Sequence, residues 1–221
     1  MKKKEALLER PKVEDNVYGR QPKATTTEHR PTIVLPKLNI QLFHLTLVGD
    51  TGLISHKWSE KAKKAMRDKQ TKRATLAKEA RNPEEEFKDS LYEHPDGGYG
   101  FPAVAFKSAA VSACSHVSDI TKVEARGAFH IDEELVKIEG SPVMREDMVR
   151  IAMGTATLRY RGEFKTWKAR IVIRYNANVL SPEQIINLFD TAGFAIGVGE
   201  WRPEKDGRNG MFHVERSSRE S

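Results

Sequence analysis

The fourteen residues from Gly197 to Gly210, "GVGEWRPEKDGRNG", carry Gly197, Gly199, Gly207 and Gly210 beside Trp201, Arg202, Lys205 and Arg208, in a chain with 15 glycines in all. Glycine is used where backbone turns through positive φ or lies close against another atom, at a cost in folding entropy. Backbone N–H groups without side chains can approach phosphate oxygens, arginine and lysine neutralise them, and an indole offers a face to an unpaired base. The chemistry available to this loop is recognition of anions and bases. The residues alone also allow a hairpin in which Gly207 and Gly210 serve turns. A dinucleotide or phosphate-loop fingerprint does not fit, because the run follows a predicted helix and precedes a predicted strand, the reverse of those contexts.

A second basic set lies earlier. From Lys57 to Arg81 ten Lys or Arg stand against three acids, before the chain turns acidic at Glu84, Glu85 and Glu86. The Ala, Lys, Glu and Arg content favours helix, and the apolar positions are too few to bury a face. The stretch reads either as a solvated helix or as a basic projection along a phosphate backbone, with Lys57, Lys61, Lys64 and Arg67 making the contacts. Lys107 falls one turn into a predicted helix of small residues, where the helix N-terminus already favours an anion; its alternative is a snorkelling surface lysine. Tyr99 joins Trp201 as a candidate for base stacking.

Little points to catalysis. His44, His56, His94, His116, His130 and His213 occur singly, without HxH or HxxxH spacing, so neither a metal site nor a cofactor is expected. Asp50 and His56 flank the loop after the first strand and are the catalytic candidates, but one aspartate without a recognisable base or metal partner makes a thin site. The chain is expected to be non-enzymatic. The single cysteine, Cys114, excludes an internal disulfide framework and a cysteine-based zinc site, and its small neighbours make it a packing residue.

These residues must be held by a scaffold. "NIQLFHLTLVG", 39–49, alternates, with Ile40, Leu42, His44 and Thr46 on one face and Leu45 and Leu47 on the other. A turn at "HPDGGYG" precedes a helix that starts at Pro102 and aligns Phe106, Ala109, Ala110, Ala113 and Val117. Short strands are expected in "GAFHID", "LVKIEG" and "VMREDMVRI", and longer ones in "TATLRYRGEF" and "WKARIVIRYNAN", where Trp167, Ala169, Ile171 and Ile173 alternate with Lys168, Arg170 and Arg174. Ser181 as N-cap and Pro182 at the first position start a last helix with Gly193 as its stop, and "GMFHVE" is the final strand. The order predicts an α+β fold, a ferredoxin-like or RRM-like antiparallel sheet with helices on one face and a basic helical insertion after the first strand. The expected organisation is an extended or disordered basic arm at 1–31, the RRM-like domain at 32–216 with a thumb-like insertion at about 57–93, and a tail at 217–221.

Composition agrees with a partly solvated chain of 221 residues, 38% hydrophobic and 31% charged. The net charge of +6 admits nucleic acid, an anionic surface or an acidic protein as partner. The opening MKKK is followed by EALLERPK, which supplies no apolar signal region, and no window approaches ~18 consecutive apolar residues, so no membrane partner is expected and the location expected is cytoplasmic.

Three segments, in order, resemble the RAMP superfamily, which includes the backbone subunits of CRISPR effector complexes. They are the first strand with "GDTGLISHK", the helix start "YGFPAVAFKSAAVSAC" with Lys107 at the lysine position, and the glycine loop. The sequence departs from that pattern at Val104, Ala105 and Ser108. It is also similar to phage-encoded proteins with the same "HKWSEKAKK" and "GEWRPEK" segments. The resemblance implies a modified RNA-recognition fold that binds single-stranded RNA or DNA without enzymatic activity and oligomerises along it, in company with further effector subunits, its insertion reaching the neighbouring subunit. It implies as alternatives a metal-dependent endoribonuclease of the same fold, or a phage protein that binds single-stranded DNA or inhibits another protein. The cytoplasm would be bacterial, and that of the host if the protein is phage-encoded.

Overall fold

In the computed structural model, residues 37–71, 81–151 and 154–216 are described. The expected arm at 1–31, Lys72 to Ala80 of the insertion and the tail at 217–221 lie outside the described residues. Along the chain run β1 (Ile40–Gly49), β2 (Leu53–Ser55), α1 (Glu60–Gln70), α2 (Pro83–Asp89), β3 (Tyr92–Glu93), β4 (Tyr99–Pro102), α3 (Ala103–Ala113), α4 (Lys122–Ala128) and β5 (Phe129–Ile131). They are followed by β6 (Leu135–Glu139), β7 (Pro142–Ile151), β8 (Thr155–Phe164), β9 (Lys168–Asn176), α5 (Pro182–Ala195) and β10 (Phe212–Val214).

The alternation of β9 sets the middle of the larger sheet. Ala169, Ile171, Ile173 and Tyr175 are buried, and Lys168, Arg170 and Arg174 are exposed. β1 pairs antiparallel along its length, from Ile40 opposite Asn176 to Val48 opposite Lys168. Directly opposed residues share a face, so Leu45 and Leu47 join the buried side while Leu42 and His44 join the arginines. The strand order is β10-β1-β9-β6-β4-β3, with β5 pairing β9 as well. Taken as β1, α3, β6, β9, α5 and β10, the frame is the β-α-β-β-α-β arrangement of ferredoxin-like folds. The fold is α+β.

Both main helices lie on the buried side. α3 buries Phe106, Ala109, Ala110 and Ala113, α5 buries Ile185, Leu188, Phe189 and Ala192, and the two helices pack against each other. Phe106 meets Phe101, Trp167 and Phe212 at ring-centroid distances of 5.9, 6.3 and 6.1 Å. The opposite face of the sheet carries exposed His44, His130, Lys137, Lys168, Arg170, Arg174 and His213.

Several local expectations change. Gly193 does not end α5, which runs on to Ala195; a β-carbon on it would lie 1.7 Å from the Phe212 carbonyl oxygen, so it is a close-approach glycine between helix and β10. The helix stop is Gly197, at φ 70°, whose N–H donates to the Ala192 carbonyl at 2.8 Å. Pro102 ends β4 and caps α3 rather than lying in its first turn. Tyr99 packs edge-on against buried Phe164, at 5.9 Å, as part of the core surface rather than as a free stacking ring. α4 was not expected, although Thr121 and Glu124 form its capping box. β2, β8 and β7 form a second, three-stranded sheet, in which β7 and β8 pair from Pro142 opposite Phe164 to Ile151 opposite Thr155.

Candidate nucleic-acid interface

The α1 helix owes its form to local signals. The Ser59 hydroxyl accepts the Ala62 N–H at 3.1 Å, Glu60 sits in the first turn, Lys63 reaches Glu60 at 2.6 Å, and Thr71 caps the end. None of its residues is buried. Amphipathic helices in proteins usually draw most of their stability from a packed face; α1 instead presents Lys61, Lys63, Lys64, Arg67 and Lys69 to solvent. Its base is tied down. The Lys57 N–H donates to the Ser90 carbonyl at 2.9 Å, and its ammonium stands 5.9 Å over the Tyr92 ring. Buried Ser90 in turn takes the Ser55 hydroxyl on its carbonyl at 2.7 Å and the Gly162 N–H on its own hydroxyl at 2.8 Å.

The glycine loop is a bonded structure. Gly197, Gly199 and Gly210 have φ of 70°, 82° and 68°. The Val198 N–H donates to Gly210, Glu200 to Ile54 and Gly210 to Gly52, at 3.0, 3.2 and 2.8 Å. The loop is therefore stitched to itself and to the β2 segment. Arg202 is occupied: it grips Glu204 at 2.7 Å and donates to the Gly199 carbonyl at 3.2 Å. Lys205 and Arg208 are exposed. Trp201 has φ 55° and leaves 44% of its surface exposed, a left-handed backbone bearing a bulky ring.

The two basic sets meet at a side-chain hydrogen bond. His56 Nδ1 lies 2.8 Å from Glu200 Oε1, joining the residue before Lys57 to the loop before Trp201. The hydrogen bond from His56 holds the Glu200 carboxyl below the ordinary carboxylate range, burial opposes this, and Arg161 adds to the lowering. Lys107, on α3, is engaged within the fold. Its ammonium donates to the Arg126 carbonyl at 3.1 Å and lies 3.0 Å from His130 Nδ1, and burial pushes its pKa down. A groove of about 620 Å³ nonetheless includes Lys107 with Lys57 and Lys63, beside Glu93, Glu133 and Glu134. Lys64 and Arg67 share a hollow along α1.

Asp50 and His56 are not brought together. Asp50 pairs with His213 at 2.6 Å, and His56 with Glu200. Among the described residues no three His, Cys, Asp or Glu are grouped to hold a metal ion.

No family model and no curated protein sequence matches the chain. Among solved structures it is similar to the crystal structure of Cmr6 from Pyrococcus furiosus, with a TM-score of 0.42 and 8% identity over 81% of this chain and 100% of that one. It is also similar to the cryo-EM structure of the Type III-B Cmr-beta bound to cognate target RNA, with a TM-score of 0.42 and 9% identity over 78% of this chain and 59% of that chain. No helix among the described residues is long and apolar enough to cross a membrane.

Two features go beyond the expected site residues, the first on the sheet face that the two-helix arrangement leaves free for a ligand. The open sheet face carries Lys168, Arg170 and Arg174, held to Glu215, Glu139 and Asp132 at 2.7, 3.4 and 2.9 Å. Such exposed pairs are worth about 0–1 kcal/mol and exchange readily for another anion. The alternation of β9, interrupted in the sequence by Val172, is the signal for this face. The second is a groove of about 650 Å³ between α1, α2 and β8, with Trp58 at its edge and Arg161 in its wall.

Proposed function

We propose that the protein is a non-enzymatic single-stranded nucleic-acid-binding subunit, of the CRISPR-effector type and acting on RNA, that assembles head to tail along the strand. The observation that carries this reading is α1, a helix that buries no residue and concentrates Lys61, Lys63, Lys64, Arg67 and Lys69 on a tethered projection. A polar helix that buries none of its residues is suited to a phosphate backbone, where each lysine or arginine releases counterions on contact. The Trp201 ring, held out by a left-handed backbone, supports base stacking at the other end of the same hydrogen-bonded connection. Lys205 and Arg208 add cations beside it.

Contacts made with phosphates and ring faces give affinity with little sequence preference. Repetition of one contact between α1 of one copy and the next copy's strand path gives an open assembly when the rotation between copies does not close a ring. Purification at low and high salt, with nuclease treatment of whatever travels with the protein, tests the first part. Light scattering with and without long single strands tests the second. Nucleic acid that is retained at low salt, lost at high salt and accompanied by strand-dependent growth in mass is the expected result; a bare monomer under every condition contradicts it.

A further inference from the structure

We propose that the groove between α1, α2 and β8 is a binding site for a nucleoside phosphate, in which Trp58 stacks on the base and Arg161 receives an oxygen of the phosphate. This rests on the single-strand reading above. The groove, about 650 Å³, falls in the size range of small-molecule sites. Toward α1 it is lined by Trp58, 54% exposed, with Ala62, Ala65 and Met66, and by Lys57, Ser59 and Lys61. A large indole left half in solvent at the edge of a concave site is a surface that an unpaired base can cover.

The opposite wall supplies the charge. Arg161 is only 6% exposed, and its Nη1 donates to Asp147 Oδ2 at 3.2 Å. Asp147 is shared, since Arg145 Nε donates to its other oxygen at 2.8 Å. The Arg161 Nε–H has no hydrogen-bond partner although it is covered from solvent. A buried donor without an acceptor is costly, and most such donors in native proteins are satisfied. A phosphate in the groove that draws the guanidinium a short way toward it supplies that acceptor. Arg159 adds a second cation to this wall, while Glu85 and Asp89 on the α2 side offer acceptors to ribose hydroxyls or base amino groups. An aromatic face, a cationic wall and carboxylate acceptors together match a nucleoside phosphate better than a bare anion.

The test uses the full chain and titrates AMP, UMP and ribose 5-phosphate by calorimetry, with a single-stranded oligonucleotide measured in parallel. Expected are binding of both mononucleotides and weaker binding of ribose 5-phosphate. Trp58→Ala, at an exposed site, should lower mononucleotide affinity about 5- to 150-fold and leave ribose 5-phosphate unchanged. Arg161→Lys keeps the charge but removes the Nε–H and should weaken all three ligands; should it fail to fold, Trp58→Ala decides alone. Saturating AMP distinguishes the source: weaker oligonucleotide binding means that the groove holds a nucleotide of the bound strand, and unchanged binding means that it takes a free one. Mononucleotides that fail to bind while the oligonucleotide binds overturn the proposal and leave the single-strand reading standing. Failure of both overturns both, and mononucleotide affinity indifferent to Trp58→Ala places the site elsewhere.

Discussion

A β-carbon on Gly207 would lie 1.8 Å from the carbonyl oxygen of Trp201, and the Asn209 N–H donates to that same oxygen at 2.9 Å. Gly207 thus keeps open the space in which Trp201 holds φ 55°. A left-handed backbone at a residue with a β-carbon costs about 1–2 kcal/mol, so the surrounding hydrogen bonds must hold it there. The glycines of this loop shape the presentation of a ring, and most of their bonds are spent within the protein.

Gly207→Ala is accordingly predicted to displace the loop, lowering stability by about 1–3 kcal/mol and weakening strand binding together. Chemical denaturation and fluorescence anisotropy measure the two effects. Unchanged stability and affinity would show that the loop relaxes without consequence.

Gly193→Ala should be worse. Its β-carbon would meet the Phe212 carbonyl at 1.7 Å, between α5 and β10, where backbone faces backbone and neither side can rotate away. A loss of about 3 kcal/mol or more is expected from such overpacking, read as a lower denaturation midpoint with an unchanged slope.

Much of this architecture was legible from residues, and the gaps have physical causes. The β9 alternation and the Ser181 cap with Pro182 are local signals, and both appear in the structure as read. The Thr121 and Glu124 capping box that starts α4 is an equally local signal. Gly193 shows the limit of such signals, because sequence does not distinguish a glycine that ends a helix from one that lets a helix touch a strand. The second sheet depends on β2, three residues long, pairing with β8 more than a hundred residues later, and no local pattern encodes that contact. Arg161 looked like an ordinary charged residue of an alternating strand. Its burial goes with the packing of α2 against β8, a contact that no local pattern encodes.

At the loop, Arg202 is engaged by Glu204 and Gly199, whereas Lys205 and Arg208 are exposed. Alanine at Lys205 and Arg208 should therefore weaken strand binding without moving the melting temperature, and alanine at Arg202 should lower the melting temperature. Trp201→Ala should cost about 1–3 kcal/mol of binding for each base it stacks upon. Equal binding by all these variants would remove the loop from the interface.

His130 gives a pH signature. Burial, then Lys107 and Arg174, hold its pKa below the ordinary histidine value, against Asp132. As pH falls below about 6.5 the unfolded chain takes up this proton before the folded one, so the unfolded state binds more protons and stability falls. The loss is absent well above that pH and grows down to the lowered folded value. His130→Gln should flatten the dependence of melting temperature on pH across this window; a steeper dependence would reverse the sign.

The central claim, that α1 is a phosphate-binding projection, is tested most directly by the salt dependence of single-strand binding in the Lys61→Glu, Lys64→Glu, Arg67→Glu variant. None of these residues is buried, so the fold should survive and circular dichroism can verify it. Each lost phosphate contact should remove roughly 0.7 from the slope of log affinity against log salt. A folded variant with weaker binding and a slope shallower by about 2, from three lost contacts, is the result predicted. A folded variant with the wild-type slope and affinity would contradict the claim.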